Sequence, residues 1–182
     1  MDIKGLFERD SDIVRILTIV DQLGLSDSWL AAGTLRNFIW NQLSGYPAFD
    51  KETDVDVVFF DQTITYEETL EIEKRIRKEH STYNWELRNQ ADMHSHSPNT
   101  RPYTSSKDAI SKYPERCTAI GARLDNDQHI ELFLPYGIED ILSFKVRPTP
   151  HFQIDQDRMA VYRSRIAQKN WQSKWPQLKI EN

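Results

Sequence analysis

Trp29-Leu30-Ala31-Ala32-Gly33-Thr34-Leu35-Arg36-Asn37 and, beyond a polar loop, Asp54-Val55-Asp56-Val57-Val58-Phe59-Phe60-Asp61 are the segments that decide how this chain is read. In the first, a short apolar run stops at a glycine, after which Leu35, Phe38, Ile39 and Leu43 recur at helical spacing. The pattern predicts strand, glycine turn, helix. The second segment is rich in valine and phenylalanine and too short for a typical helix, so it predicts a buried strand with its carboxylates at the entrance.

Working outward, Ile13, Ile16, Leu17, Val20 and Leu23 predict a helix over Asp12 to Leu23, with Ser11 as N-cap and Gly24 as stop. Downstream, Thr65 and Glu68 form a capping box before a helix over Tyr66 to Glu79, and Tyr83 to Arg88 reads as a further strand. Asn89 to Ser106 carries neither period and is expected to be a long loop. Cys117 to Leu124 and His129 to Leu134 flank Asp125-Asn126-Asp127-Gln128, the pattern of an antiparallel hairpin. A short helix is expected after Gly137, and an Arg-rich helix from Asp157 to about Trp171.

With 182 residues, 38% of them apolar and 28% charged, the chain has the size of one domain with one substantial core. We expect residues 11–135 to form that core and residues 136–182 a C-terminal helical extension. A net charge of -5 gives no general pull toward polyanions, so strong nonspecific nucleic-acid binding is not expected. Cys117, the single cysteine, excludes an internal disulfide and a cysteine-based zinc site and reads as a small buried residue. Neither a signal-peptide core nor a membrane-length apolar run is present, so a cytoplasmic protein without membrane contact is expected.

The chemistry lies in the two opening segments. On a strand, Asp54 and Asp56 leave the same face and can converge on a hard cation such as Mg²⁺ or Mn²⁺, which takes oxygen ligands and keeps phosphate in its shell. Alone, Asp-x-Asp is more often a pair of solvated acids. Gly33 and Thr34 change the balance, because a glycine at a helix start allows close backbone approach and the free N–H groups there attract phosphate. Each taken singly would read as a turn glycine and an N-cap.

Together the segments resemble the DNA polymerase beta-type nucleotidyltransferase superfamily, whose core runs helix, strand, Gly-Ser or Gly-Gly turn, helix, acidic strand, helix, strand. With Trp85-Glu86-Leu87-Arg88-Asn89-Gln90, Pro135-Tyr136-Gly137-Ile138-Glu139-Asp140, Arg147-Pro148 and Trp171 to Trp175-Pro176, they look more closely like a bacterial nucleotidyltransferase-like family of unassigned substrate. The core is also similar to the catalytic head of tRNA CCA-adding enzymes, though too little chain follows Arg88 for the further domains of a complete one.

The resemblance implies an α+β fold with a mixed central sheet, helices packed mainly on one face and a C-terminal helix. It further implies transfer of a nucleoside monophosphate from an NTP to a hydroxyl acceptor, whether small molecule, RNA or protein, with release of pyrophosphate. The competing reading is a catalytically silent binding module on the same fold. Asp54 and Asp56 would hold metal, with a third carboxylate from the following strand: Glu86 is favoured, since Glu131, with the same apolar flanks, falls on a later strand than the core order requires. Gly33, Thr34, Arg36 and Asn37 would cradle the triphosphate; Thr34 departs from the usual serine or glycine and adds a methyl in a tight turn.

Arg36 reads equally well as a surface arginine. Asp92, His94 and His96 are more naturally solvated loop residues than a transition-metal site, Arg158, Arg163, Arg165 and Lys169 a wet helical face, and Trp171 and Trp175 packing anchors.

Overall fold

The computed structural model describes residues 1–182. Its elements are α1 (Ile3–Glu8), α2 (Ser11–Gln22), β1 (Trp29–Ala31), α3 (Gly33–Leu43), β2 (Asp54–Phe59), α4 (Tyr66–Glu79), β3 (Asn84–Asn89) and α5 (Gln90–Met93). Then come α6 (Ser106–Ser111), β4 (Gly121–Leu124), β5 (Ile130–Phe133), α7 (Glu139–Leu142), β6 (Lys145–Val146), α8 (Pro150–Gln153), α9 (Gln156–Lys169) and β7 (Lys179–Ile180).

The main sheet has the order β3-β2-β1-β4-β5, with β2 and β3 parallel and the other pairs antiparallel. Alternation along the strands gives the sheet two different faces. Leu30, Val55, Val57, Trp85, Leu87 and Ala122 point into the main core, which α2, α3 and α4 cover with Ile13, Leu17, Leu35, Ile39 and Ile76. On the opposite face, Trp29, Ala31 and Val58 join a small cluster with Ile110 and Ala119 under α6. The rest of that face, at the start of β2 and β3, is open and carries Asp54, Asp56 and Glu86. The fold is thus α+β with a mixed sheet, as the resemblance implied.

Local chemistry accounts for the element ends and for several departures from expectation. The capping box of α4 forms as read, Thr65 Oγ1 accepting from the Glu68 N–H while a Glu68 carboxylate oxygen accepts from the Thr65 N–H. At α2 the cap is Asp10, whose carboxylate accepts from the Ile13 N–H at 2.9 Å, so Ser11 is the first helical residue rather than the cap. The start of the expected long loop is helical instead: Asn89 caps α5 through the Ala91 N–H, and a 3₁₀ turn over His94–His96 follows. The first hairpin strand is shorter than expected, because Arg116–Thr118 form a buried 3₁₀ turn before β4 begins at Gly121.

The C-terminal part was read as helical only, but β6 and β7 pair in parallel and fasten the end of the chain against α7 and α9. Each strand has two residues, too few for a periodic signal. No helix is long and apolar enough to cross a membrane.

Candidate active site

The strand-to-helix turn comes first. Ala32 adopts φ 56°, ψ -127°, a conformation that residues with a Cβ rarely enter. It is held there from both sides: its N–H donates to Ile120 C=O at 2.9 Å, and its C=O accepts the Arg36 N–H at 3.1 Å, opening α3. Ala32 offers no capping side chain, and the Gly33 N–H faces the Asp56 carboxylate. The first N–H groups of α3 are therefore presented beside the acidic face of β2, the arrangement that favours an anion.

Gly33 is where the turn and β2 come closest. A Cβ at this position would lie 3.3 Å from Asp56 Oδ2 and 3.3 Å from Arg36 Nη2, tighter than ordinary packing. Thr34 sets that approach. Its hydroxyl donates to Asp54 C=O and accepts from the Asp56 N–H, both at 2.8 Å, and the side chain is buried, so the added methyl is accommodated. With its Oγ1 engaged on β2, Thr34 faces the site through its backbone; the hydroxyl contact to phosphate implied by the resemblance is replaced by a pin between α3 and the acidic strand.

Asp56 and Glu86 are direct partners in the parallel β2–β3 register and so stand side by side on the open face. Burial, then the Glu86 charge, pushes the Asp56 carboxyl up to about 7; Asp54 adds to the rise, and Arg36 opposes it. A half-buried oxygen donor that resists carrying its charge alone, next to a second carboxylate, fits a hard divalent cation. Glu131, the alternative third carboxylate, is on β5 at the far edge of the sheet, with Arg123 Nε at 2.8 Å. Strand order places Glu86, the glutamate favoured by chain order, beside Asp56 and Glu131 at the other edge.

The metal-ligand side chains whose donor atoms converge within 4.8 Å are Asp125, Asp127 and His129, at the β4–β5 turn. There Asp125 Oδ1 already accepts the N–H groups of Asp127 and His129, the ordinary fastening of such a turn. Asp54, Asp56 and Glu86 are set more openly, and Asp92, His94 and His96 do not converge.

Arg36 is buried, contrary to the surface reading. Its guanidinium is 4.2 Å from the centre of the Trp171 ring and 4.9 Å from that of Trp40. It donates to Thr118 Oγ1 at 2.7 Å and twice to Asn37 Oδ1, at 3.0 and 3.2 Å. This leaves the Asn37 amide NH₂ as a donor on the Gly33 side. Burial holds the Arg36 guanidinium below its ordinary value. It is a fixed positive charge behind the helix start.

These groups border a cleft of about 340 Å³ that contains Gly33, Arg36, Asn37, Asp54, Asp56 and Glu86. Its far wall was not foreseen as part of a site: Arg165, Lys169 and Trp171 line it too. Arg165 is bonded to the fully buried Glu115 at 2.5 Å, whereas Lys169 has no acidic partner. Of the arginines read as a wet face, only Arg163 is exposed; Arg158 is buried and donates to the carbonyls of Pro98, Asn99 and His151. Trp175 is the anchor expected, with its ring N–H on Asn41 Oδ1. The periodicity of α9 marked it as charged, but nothing local tells which of its turns meets β2.

A second cleft, of about 360 Å³, adjoins the first across Asp56 and Glu86 and is walled mainly by aromatic and aliphatic side chains.

Residues 18–180 match the family model described as Nucleotidyltransferase. No curated protein sequence matches. Among solved structures, an NMR structure described as revealing a CCA-adding enzyme head domain is 57% identical, with TM-score 0.94 over 99% of this chain and 94% of that one. A CCA-adding enzyme in complex with CTP shares the fold at 13% identity and TM-score 0.60, over 100% of this chain and 44% of its own. The Thermotoga maritima CCA-adding enzyme complexed with tRNA does so at 12% identity and TM-score 0.59, over 100% and 43% respectively. The chain thus spans under half the length of these two enzymes.

Proposed function

Because the chain belongs to the nucleotidyltransferase family, we propose that it transfers a nucleoside monophosphate from an NTP to a hydroxyl acceptor at the Asp56–Glu86 site, with release of pyrophosphate. The observation that carries this is the start of α3 beside the β2 carboxylates, with Gly33 leaving room for a ligand where a Cβ would press on Asp56.

The triphosphate tail rests on the first N–H groups of α3 at Gly33 and Thr34 and on the Asn37 amide, where the helix dipole favours negative charge. Arg36 supplies a fixed countercharge, rigid because its two stacked rings hold it. Lys169 reaches the outer phosphates from the opposite wall. Asp54 and Asp56, joined by Glu86, hold Mg²⁺ or Mn²⁺. When bound, the ion lowers the pKa of the attacking hydroxyl and neutralises charge on the triphosphate and leaving pyrophosphate.

The acceptor oxygen forms a bond to the α-phosphorus while the α-phosphorus to bridging-oxygen bond breaks. The electron pair of that bond leaves with pyrophosphate, and the hydroxyl proton passes to the Glu86 carboxylate. Glu86 borders both clefts and so faces the attacking group.

Titration with each of the four NTPs, with and without Mg²⁺, followed by amide NMR, tests the site. At least one Mg²⁺–NTP is expected to shift the amides from Gly33 to Asn37 and from Asp54 to Asp56. Silence at those amides for all four overturns the enzyme reading in favour of a silent module.

A further inference from the structure

We infer that the second cleft is the acceptor site and that it takes a small uncharged alcohol with an aromatic body, not the 3′ end of an RNA. The inference rests on the nucleotide placement just proposed. In an in-line displacement the attacking oxygen and the departing pyrophosphate lie on opposite sides of the α-phosphorus. With the triphosphate tail at the start of α3, the acceptor must approach from beyond Asp56 and Glu86, where the second cleft opens.

The cleft's composition defines the occupant. Its walls include Met93, Tyr103, Tyr113, Pro114, Phe152 and Val161, brought together from loops, α8 and α9. At about 360 Å³ it is near the lower end of the range for small-molecule sites. Charged and polar residues line the cleft as well, but most of its exposed wall is apolar; beside Glu86, Tyr113 Oη donates to Gln90 Oε1 at 3.3 Å, and both line the cavity. That is enough to aim one hydroxyl.

Charge excludes the polyanion. The lining cations are Arg88, Lys112 and Arg165, and each already has an acidic partner: Glu73 at 3.1 Å, Asp108 at 2.9 Å and Glu115 at 2.5 Å. The chain as a whole carries -5. Each lining cation already has an acidic partner, so the cleft lacks the open positive charge on which counterion release from a phosphate backbone draws.

The chain has three methionines, and only Met93 lines this cleft, so methionine methyl NMR gives a local reporter. The probes are tyrosol, 2-phenylethanol and tryptophol, each to millimolar concentration, then a short single-stranded RNA with a free 3′ hydroxyl, then Mg²⁺ with each NTP. We expect at least one aromatic alcohol to shift Met93 saturably and leave Met1 and Met159 in place, and Val161→Trp to weaken that binding at least tenfold. Val161 is 37% exposed on α9, so the larger ring is compatible with folding, and unchanged Met1 and Met159 signals confirm it.

Three results overturn the assignment: no alcohol shifts Met93; the RNA shifts it, which makes the acceptor an RNA; or an NTP shifts it as strongly as the Gly33 amides, which makes the cleft a nucleobase pocket. Loss of the NTP response from Gly33 to Asn37 with the alcohol response intact would sink the nucleotide placement instead, so the two failures are distinguishable.

Discussion

The cleft at the start of α3 and the cleft beyond Glu86 share Asp56 and are nearly equal in size, at about 340 and 360 Å³. They are built differently. The first presents fixed charge and backbone dipoles, most of them from a single strand-turn-helix-strand unit, Trp29 to Phe59. The second is shaped by side chains from scattered segments between Ala32 and Arg165, with its cations neutralised by neighbours. A site for a charged, chemically constant group such as triphosphate depends on backbone geometry, whereas a site for a variable partner is left to side chains on loops and the last helix.

The sharpest way to break this comparison is at Asp56, which with Glu86 lines both clefts. Asp56→Asn is expected to lower nucleotide transfer by at least about 10²–10³-fold, since it removes charge where the reaction develops it. The same change is expected to raise metal-free stability by about 1–3 kcal/mol, because a desolvated carboxylate is lost. The sign follows from the raised pKa: stability is full below the unfolded value near 3.8 and is lost as pH rises through about 7. Thermal midpoints of wild type minus Asp56→Asn between pH 4 and 8, without metal, should therefore fall with pH, and Mg²⁺ at pH 8 should restore part of the difference. A flat difference curve would contradict the burial of Asp56.

A second substitution separates the clefts. Gly33→Ala places a methyl 3.3 Å from Asp56 Oδ2 and Arg36 Nη2, and should weaken Mg²⁺–NTP binding by about tenfold, some 1.4 kcal/mol, with aromatic-alcohol binding at Met93 unchanged. Isothermal titration of the nucleotide and methyl NMR of the alcohol read the two effects independently; equal losses in both would show that the clefts are not separable.

The smallest expected effect is at the turn itself. Ala32→Gly should stabilise the fold by about 1 kcal/mol, because glycine enters the positive-φ conformation without a Cβ clash. Chemical denaturation checks it, and a loss of stability would mean that the Ala32 methyl packs well enough to outweigh the strain.

Legibility in the sequence followed the same divide. The first cleft's inner residues were visible because strand alternation sets which side chains share a face, and a glycine before a helical period marks the turn. Arg36 was misjudged as a possible surface residue because its burial depends on Trp171, 135 positions away, folding back over it. Thr34 was placed in the phosphate cradle by the resemblance and the free N–H groups of a helix start, and only the packing of β2 against α3 shows that its hydroxyl is engaged on the acidic strand. Glu86 and Glu131 have the same flanks; core order favoured Glu86, and the pairing of β3 with β2, with β5 at the other edge, puts Glu86 and not Glu131 next to Asp56.

By itself, then, the chain's periodicity determined the order of its principal elements, and its spacing determined that Asp54 and Asp56 would project together from one face beside a glycine-led helix. Those are properties of neighbours along the backbone, set by local sterics and hydrogen bonding. Tertiary structure alone decided that Arg36 is buried, that α9 and Trp171 close the first cleft, and that a second cleft exists. Such contacts join residues far apart in sequence, and their pairing is chosen by how the whole core packs rather than by any local pattern.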